Sequence, residues 1–564
     1  MSEGSGRSVL TVRKTEAEGS RGMVVTKHAD ASAIGLDVLQ AGGNAVDAAV
    51  AGAFAVGVAE PWSSGLGGGG YAVVAKSSGA DVVAFPMQAP ALATPDRYPL
   101  DGRGGVGGFL WPGVVDDANL SGWLAMAIPG AVAGLELLHR RHGQLPWREV
   151  VEPASALARN GSNLTWFEIL QMGRYAAAAR RHTELGSIYY ADGGPPQSEV
   201  GELATLVQSD LANSLDALAH EGSAVFYQGD LGKVIVADCV ANGGALGRDD
   251  LAQYRARVMA PLSVPYRDTM VITPGFGSAG PTTIETLNIF EQALSAPART
   301  ADGDRIHSFL WAARLAQADR FKYMGEHGFD DESGSALVSK AHAREHSTRI
   351  DPTCAPVTDG QGDPWAYMGP DRDLERRKGD TSTTHLCTAD ADGMFVSLTN
   401  TLGGSWGSEI VPRGTGIVWN NGMWWFDPRP GRPNSVRPRA FGLNNMTPAI
   451  VTRKERPLLA VGASGGRRIT NCVSQIISHV VDHRMGAQDA IDVPRVDAST
   501  PWVTADARLA ESVLEELSGR GWDVQLVPPI GSSAFASPVA ITAGAEASLR
   551  GGADAFHSAE ARGW

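Results

Sequence analysis

Apolar residues recur every three to four positions over Ser32–Gln40, Ala45–Val58, Ala131–His142, Asp210–His220, Thr283–Leu294 and Ile306–Met324, a period that predicts helices. The second of these is apolar almost throughout and rich in alanine. It begins after Asn44, contains Asp47 and is too short to span a bilayer, so it predicts a buried helix. Short strand patterns alternate with the helices along the whole length, without an internal repeat. The stretch from Asp351 to Asp380, rich in Pro, Gly, Asp and Arg, predicts an exposed connector. Beyond it the period shortens to two: "THLCTA" and "MFVSLTNTL" flank "DADG", and Asp392-Gly393 marks a hairpin turn. A loop centred on Asp392 sets Thr383 opposite Thr401, and a loop one residue different sets it opposite Asn400.

Two glycine clusters interrupt these patterns. "GLGGGG", Gly65 to Gly70, has the letters of a dinucleotide fingerprint but follows a helix and precedes the strand-like "YAVVA". That is the reverse of the order phosphate binding requires, so it predicts a closely packed turn and no nucleotide cofactor. "GASGGRRI", Gly462 to Ile469, follows the strand-like "PLLAV" and precedes a helical period from Ile469 to Val480. Gly465 and Gly466 are thereby placed at a helix start, where outward N–H groups suit a phosphate, an oxyanion or a plain structural turn.

The chain of 564 residues has ample length for a large core, and its net charge of -14 disfavours a nucleic-acid or anionic-membrane partner. Its opening, "MSEGSGRSVLTVRKTEAEGSRG", lacks the apolar run of a signal peptide, so a flexible arm on a cytoplasmic protein is expected. Cys239, Cys354, Cys387 and Cys472 stand far apart, which predicts reduced core thiols. No metal-ligand set is apparent, and no cofactor is expected.

The stretch "GDTSTTHLCTAD", Gly379 to Asp390, crowds hydroxyls at the start of a strand. Together with "GGNAVDAAVAGAFAVGVAEPWSSGLGGGGY", "AIPGAVAGLELLHRRHG", "RGTGIVWNNGMWWFDP", "NNMTPAIV" and "GASGGRRI", it resembles the γ-glutamyltranspeptidase family of N-terminal nucleophile hydrolases through most of the chain. The resemblance implies a four-layer α/β/β/α sandwich of the α+β kind. It also implies self-cleavage before Thr383, giving a large segment of residues 1–382 and a small one of 383–564, interwoven in one fold. Cleavage would make Thr383 both nucleophile and, through its α-amine of ordinary pKa about 8, its own general base. Thr381 offers a second possible start; Thr383 is preferred because Thr384-His385 follows it. His385 itself reads as a structural strand residue.

The resemblance further assigns a supporting hydroxyl to Thr401, the oxyanion hole to Gly465 and Gly466, and pocket-lining roles to Asn420 and Asn421. It departs from the family where a glutamyl donor would be gripped. The carboxylate-binding arginine aligns with Pro95, with Arg97 two residues on, and the serine pair aligns with Asn444 and Asn445. The ammonium-binding groups align with Gly422 and Trp425, neither of them anionic. Asp427 could replace the missing aspartate only by a shift in register, and Trp424 and Trp425 read equally as an apolar pocket wall or as core.

These departures imply a threonine hydrolase acting on a small-molecule acyl substrate other than γ-glutamyl, with water favoured over an amine as acceptor. An amide acylase for dicarboxylic acyl chains and a carbon–carbon bond hydrolase of alkyl-proline antibiotic pathways both fit. A true γ-glutamyl enzyme and a non-enzymatic binding descendant are the remaining alternatives.

Overall fold

The computed structural model describes residues 12–103, 109–179, 181–190, 193–198, 202–294, 302–325, 331–356, 381–528, 534–544 and 548–564. The connector expected over Asp351 to Asp380 thus lies largely outside the described residues.

Two seven-stranded sheets, antiparallel throughout, form the centre. The first runs Glu560–Gly563, Gly22–Thr26, Thr381–Asp390, Phe395–Gly404, Gly69–Lys76, Gly79–Phe85 and Arg257–Met259. The second runs Ala17–Gly19, Leu549–Ala553, Ser537–Ala543, Arg456–Ser464, Ala449–Arg453, Thr269–Thr273 and Leu262–Tyr266. Alternation along each strand sends one set of side chains between the sheets and the other outward. Val25, Val73, Cys387, Ala460, Val539 and Ile541 fill the space between the sheets. On the outer face of the first sheet, Val24, Val74, Leu386 and Leu398 meet the helices Ala29–Gln40, Ala45–Ala59 and Ala131–His142. On the outer face of the second, Val271, Val451 and Val461 meet Gly280–Ala293 and Ile469–His483. The expected four-layer sandwich is the observed architecture.

All six predicted helices form, with ends shifted by at most three residues. Ala45–Ala59 is buried at every position, and Asn44 and Asp47 close its first turn by a reciprocal capping box. The glycines of the first cluster act by lacking a side chain: a Cβ on Gly68 would lie 2.5 Å from the Thr401 carbonyl oxygen, and one on Gly70 2.0 Å from that of Thr399. The tight turn expected there is what the structure has.

Two expectations need correction. The opening segment is not wholly a free arm, because Ala17–Gly19 pairs with Leu549–Ala553 at a sheet edge and Lys14 Nζ donates to the carbonyls of Asp554 and His557. Cys354 is exposed, unlike the other three thiols, because it follows the helix Lys340–Ser347 into the connector. Among the described residues, no helix is long and apolar enough to cross a membrane.

Candidate active site

The Asp392-Gly393 turn joins the two central strands in the expected register, with Thr384 opposite Asn400 and Ala389 opposite Phe395. Two residues before Thr384 the ladder has slipped, since Ser382 pairs with Gly403. Thr383 therefore faces two residues, Thr401 and Leu402, across a bulge in the partner strand. The alternatives left by the sequence are resolved by contact: Thr383 Oγ1 lies 3.1 Å from Thr401 Oγ1.

The Ser382 carbonyl oxygen receives two hydroxyls, from Thr383 Oγ1 at 2.6 Å and from Thr401 Oγ1 at 2.7 Å. Thr401 Oγ1 in turn accepts the Gly403 N–H at 2.9 Å, and Asn400 Oδ1 accepts the Thr401 N–H at 3.0 Å. The Ser382 hydroxyl meets Ser63 Oγ at 2.8 Å. These groups are buried in a polar arrangement that leaves the Ser382–Thr383 linkage polarised and flanked by a hydroxyl that can attack it.

Thr383 opens onto a cleft lined also by Lys27, Glu60, Gly465, Arg468 and His557. The second sheet supplies one wall: Ser464 is the last residue of its strand to pair, opposite Ser537, and the chain leaves the ladder at Gly465 with φ of 137°. Only glycine adopts that conformation without strain, and a Cβ there would lie 2.7 Å from the Ala536 backbone. Gly466 follows in a short 3-10 turn that feeds the helix Ile469–His483.

Lys27 and Glu60 are both almost wholly buried. Burial pushes the Lys27 ammonium down to about 8, against the attraction of Glu60 and Asp554, and pushes the Glu60 carboxyl up to about 8, against the attraction of Lys27. The Lys27 ammonium donates to Ser537 Oγ, and Glu60 Oε1 is buried without a hydrogen-bond partner. Lys27, Glu60 and His557 did not stand out in the sequence. A single Lys before His28 and a Glu before Pro61 carry no local signal, and His557 joins them from the far end of the chain.

The residues expected to grip substrate are placed differently. Asn420 uses its whole amide: Oδ1 accepts the Ala127 and Gly422 N–H groups, while Nδ2 donates to the Gly67 and Ala127 carbonyls. Asn421 joins the N–H of Gly404, the residue after Gly403, to the Leu120 carbonyl. Gly422 sits against Met87 and Ala127. Trp425, with Trp424, is buried in an apolar cluster that also holds Phe109, Trp111 and Phe426. Asp427 is held by Arg429 in a two-point ion pair. Asn444 donates to the Gly277 carbonyl, and Arg320 donates to the Asn444 carbonyl and to Asn445 Oδ1. Arg97 stands half-buried at the end of a 3-10 turn. None of these nine residues lines the cleft beside Thr383. Thr381 is the first residue of its strand, two residues before Thr383.

His385 is buried between the sheets, its Nδ1 2.8 Å from Thr399 Oγ1 and its ring beneath Gly462. Burial lowers its pKa to about 3, so it is neutral and structural. Away from the cleft, one group was missed: Glu285, Asp319, His342 and His346 converge although no metal-ligand set was apparent from the sequence. The visible signal was the spacing of His342 and His346, one helical turn apart.

A sequence model of the family described as Gamma-glutamyltranspeptidase matches residues 31–564. The chain is 34% identical over 525 residues to the acylase ACY 1 proenzyme of Pseudomonas sp. (strain V22), covering 92% of this chain and 90% of that protein. It is 31% identical over 530 residues to the glutathione hydrolase proenzyme of Escherichia coli (strain K12), covering 91% and 87%. In fold it matches the crystal structure of cephalosporin acylase from Bacillus halodurans with a TM-score of 0.86, 24% identity and coverage of 100% and 99%.

Proposed function

Because the chain belongs to the γ-glutamyltranspeptidase family, whose members include hydrolases and acylases, we propose that it is a self-processing threonine acylase whose nucleophile is Thr383. The observation that carries this reading is the Ser382 carbonyl held by the hydroxyls of both Thr383 and Thr401.

In processing, Thr383 Oγ1 bonds to the Ser382 carbonyl carbon and the C–N bond to Thr383 breaks. The hydroxyl proton passes to the departing nitrogen, which becomes the free α-amine. Water then hydrolyses the resulting ester, leaving a Ser382 carboxylate and a Thr383 with hydroxyl and amine both free. In turnover the same hydroxyl attacks a substrate amide carbonyl while the α-amine takes its proton. The amine product leaves, and water releases the acyl group from Thr383. Gly465 and Gly466 offer N–H donors to the oxyanion, a contribution of roughly 3 kcal/mol for each well-placed donor.

The substrate class follows from charge. On the side where a glutamyl ammonium would be gripped, Asp427 is committed to Arg429 and Trp425 to a buried apolar cluster. The cleft instead carries Lys27 and Arg468, which favour an acyl chain ending in a carboxylate and lacking an α-amine. The acylase relative supports an acylase activity.

The test begins with intact mass and N-terminal sequencing of the purified protein, where two fragments are expected, the smaller starting Thr383-Thr384-His385. A permanently uncut chain, or cleavage before Thr381, overturns the assignment of Thr383. Turnover of a glutaryl amide and of a γ-glutamyl anilide then separates the substrate readings. Faster release from the γ-glutamyl compound overturns the acyl preference.

A further inference from the structure

We propose that Glu285, Asp319, His342 and His346 form a binding site for a divalent transition metal ion, with zinc as the best fit. The site is remote in sequence from Thr383 and does not depend on the proposed reaction.

Three helices build it. Glu285 comes from Gly280–Ala293, Asp319 from Gly303–Tyr323, and both histidines from Lys340–Ser347, where a separation of four residues puts both imidazoles on one face. One donor atom from each of the four lies within 4.8 Å of all the others. His342 Nε2 is 3.0 Å from Asp319 Oδ2 and 3.2 Å from Glu285 Oε1, and His346 Nε2 is 3.0 Å from the same Asp319 oxygen. A tetrahedral zinc with arms of about 2.0–2.2 Å holds its ligand atoms roughly 3.3–3.6 Å apart, between the shortest of these separations and the 4.8 Å limit of the group.

Hydrogen bonding alone serves this arrangement poorly. Asp319 Oδ2 can accept from both imidazoles, but His342 Nε2 carries one proton and faces two carboxylate oxygens, those of Glu285 and Asp319. A cation at the centre satisfies all four donors at once. Charge points the same way: Glu285 is almost wholly buried, and among the described residues neither it nor Asp319 has a Lys or Arg ion-pair partner. Arg320 turns instead to the Asn444-Asn445 loop, and Lys340 to Asn288 and Glu291. Two carboxylates with two neutral imidazoles balance one divalent ion. The mixed nitrogen and oxygen set selects zinc or a neighbouring first-row ion over calcium or magnesium, which prefer oxygen alone. With four protein ligands the site is structural, a clamp across three helices.

Arg349 supplies a sharp corollary. Its Nη1 lies 3.1 Å from His346 Nδ1, and because arginine only donates, that contact requires Nδ1 to be the acceptor. A metal on Nε2 requires the proton on Nδ1, so the exposed Arg349 must swing away when the ion binds.

The test is titration of the chelator-stripped, dialysed full chain with Zn²⁺ and Co²⁺, read by calorimetry, bound-metal analysis and the visible absorption of cobalt. One equivalent is expected, with a rise in melting temperature on zinc addition. His342→Gln and His346→Gln should each weaken binding at least tenfold, and Arg349→Gln, which removes no ligand and leaves the helix intact, should tighten it. Absence of binding by the wild-type chain at micromolar metal overturns the site. Unchanged binding in the soluble His346→Gln variant, or no tightening in Arg349→Gln, also overturns it.

Discussion

Thr401 Oγ1 donates to the Ser382 carbonyl oxygen at 2.7 Å while accepting the Gly403 N–H at 2.9 Å. The backbone donor fixes which way the Thr401 hydroxyl points, so its proton is aimed at the carbonyl that is to be attacked. Thr401→Val should slow self-cleavage on the order of a hundredfold, the cost of one oriented donor to a developing oxyanion. Thr401→Ser should restore most of it. Time courses of fragment appearance on gels, with circular dichroism as a fold control, measure both.

Asn420 bonds to four backbone groups inside the fold, so its replacement should register in stability before it registers in substrate affinity. Asn420→Ala leaves buried donors and acceptors unpaired, at roughly 1–3 kcal/mol each. A large fall in denaturation midpoint is expected. An unchanged midpoint with a raised KM would instead make Asn420 a substrate ligand.

Lys27 is the buried cation of the cleft. Lys27→Met should raise the KM for a carboxylate-bearing acyl substrate roughly tenfold or more, with little change for a neutral acyl analogue. Burial lowers the wild-type ammonium to about 8, so the charge is present below that pH and lost above it. The same KM should therefore climb as pH rises through 8 in the wild type and stay flat in Lys27→Met.

Three imidazoles, His385 at about 3 and His479 and His557 at about 4, are held neutral chiefly by burial. An unfolded chain takes up these protons near pH 6.5, whereas the folded chain does so only below about 4. At these three sites the unfolded state binds more protons in that window, so they lower stability as pH drops from about 6.5 to 4, while the raised Glu60 carboxyl works in the opposite direction. Melting temperatures across this range test it, and His385→Gln should show a shallower decline.

Gly462 lies over the His385 ring, where a Cβ would come within 2.2 Å of it. Gly462→Ala should cost about 1–3 kcal/mol through overpacking. The same substitution in a His385→Ala background should cost less, and chemical denaturation of the two single variants and the double variant gives the coupling directly.

The sequence made the Thr383–Thr401 proximity legible because a two-residue turn signal fixes the register of everything that follows along both strands. The bulge opposite Thr383 was not legible, since extended residues on either side of a slip have the same pattern. Trp425 shows a different limit: an aromatic next to a motif can line a pocket or join a buried apolar cluster, and only the packing partners decide. Lys27, Glu60 and His557 meet through sheet order rather than local spacing. The Glu285, Asp319, His342 and His346 group was half visible, because one helix supplies two of its members and two others supply the rest.

The strand that holds Ser382 and Thr383 lies inside a sheet whose neighbours come from both sides of that bond: Gly22–Thr26 before it, Phe395–Gly404 after it. Under the proposed cleavage before Thr383, a chain that must assemble this sheet before it can open the bond folds as one molecule and then persists as two. Once the two pieces part, the covalent tether that guided their pairing is gone. The working lifetime of the mature protein is therefore a matter of how slowly it comes apart, not of how favourably it would go back together.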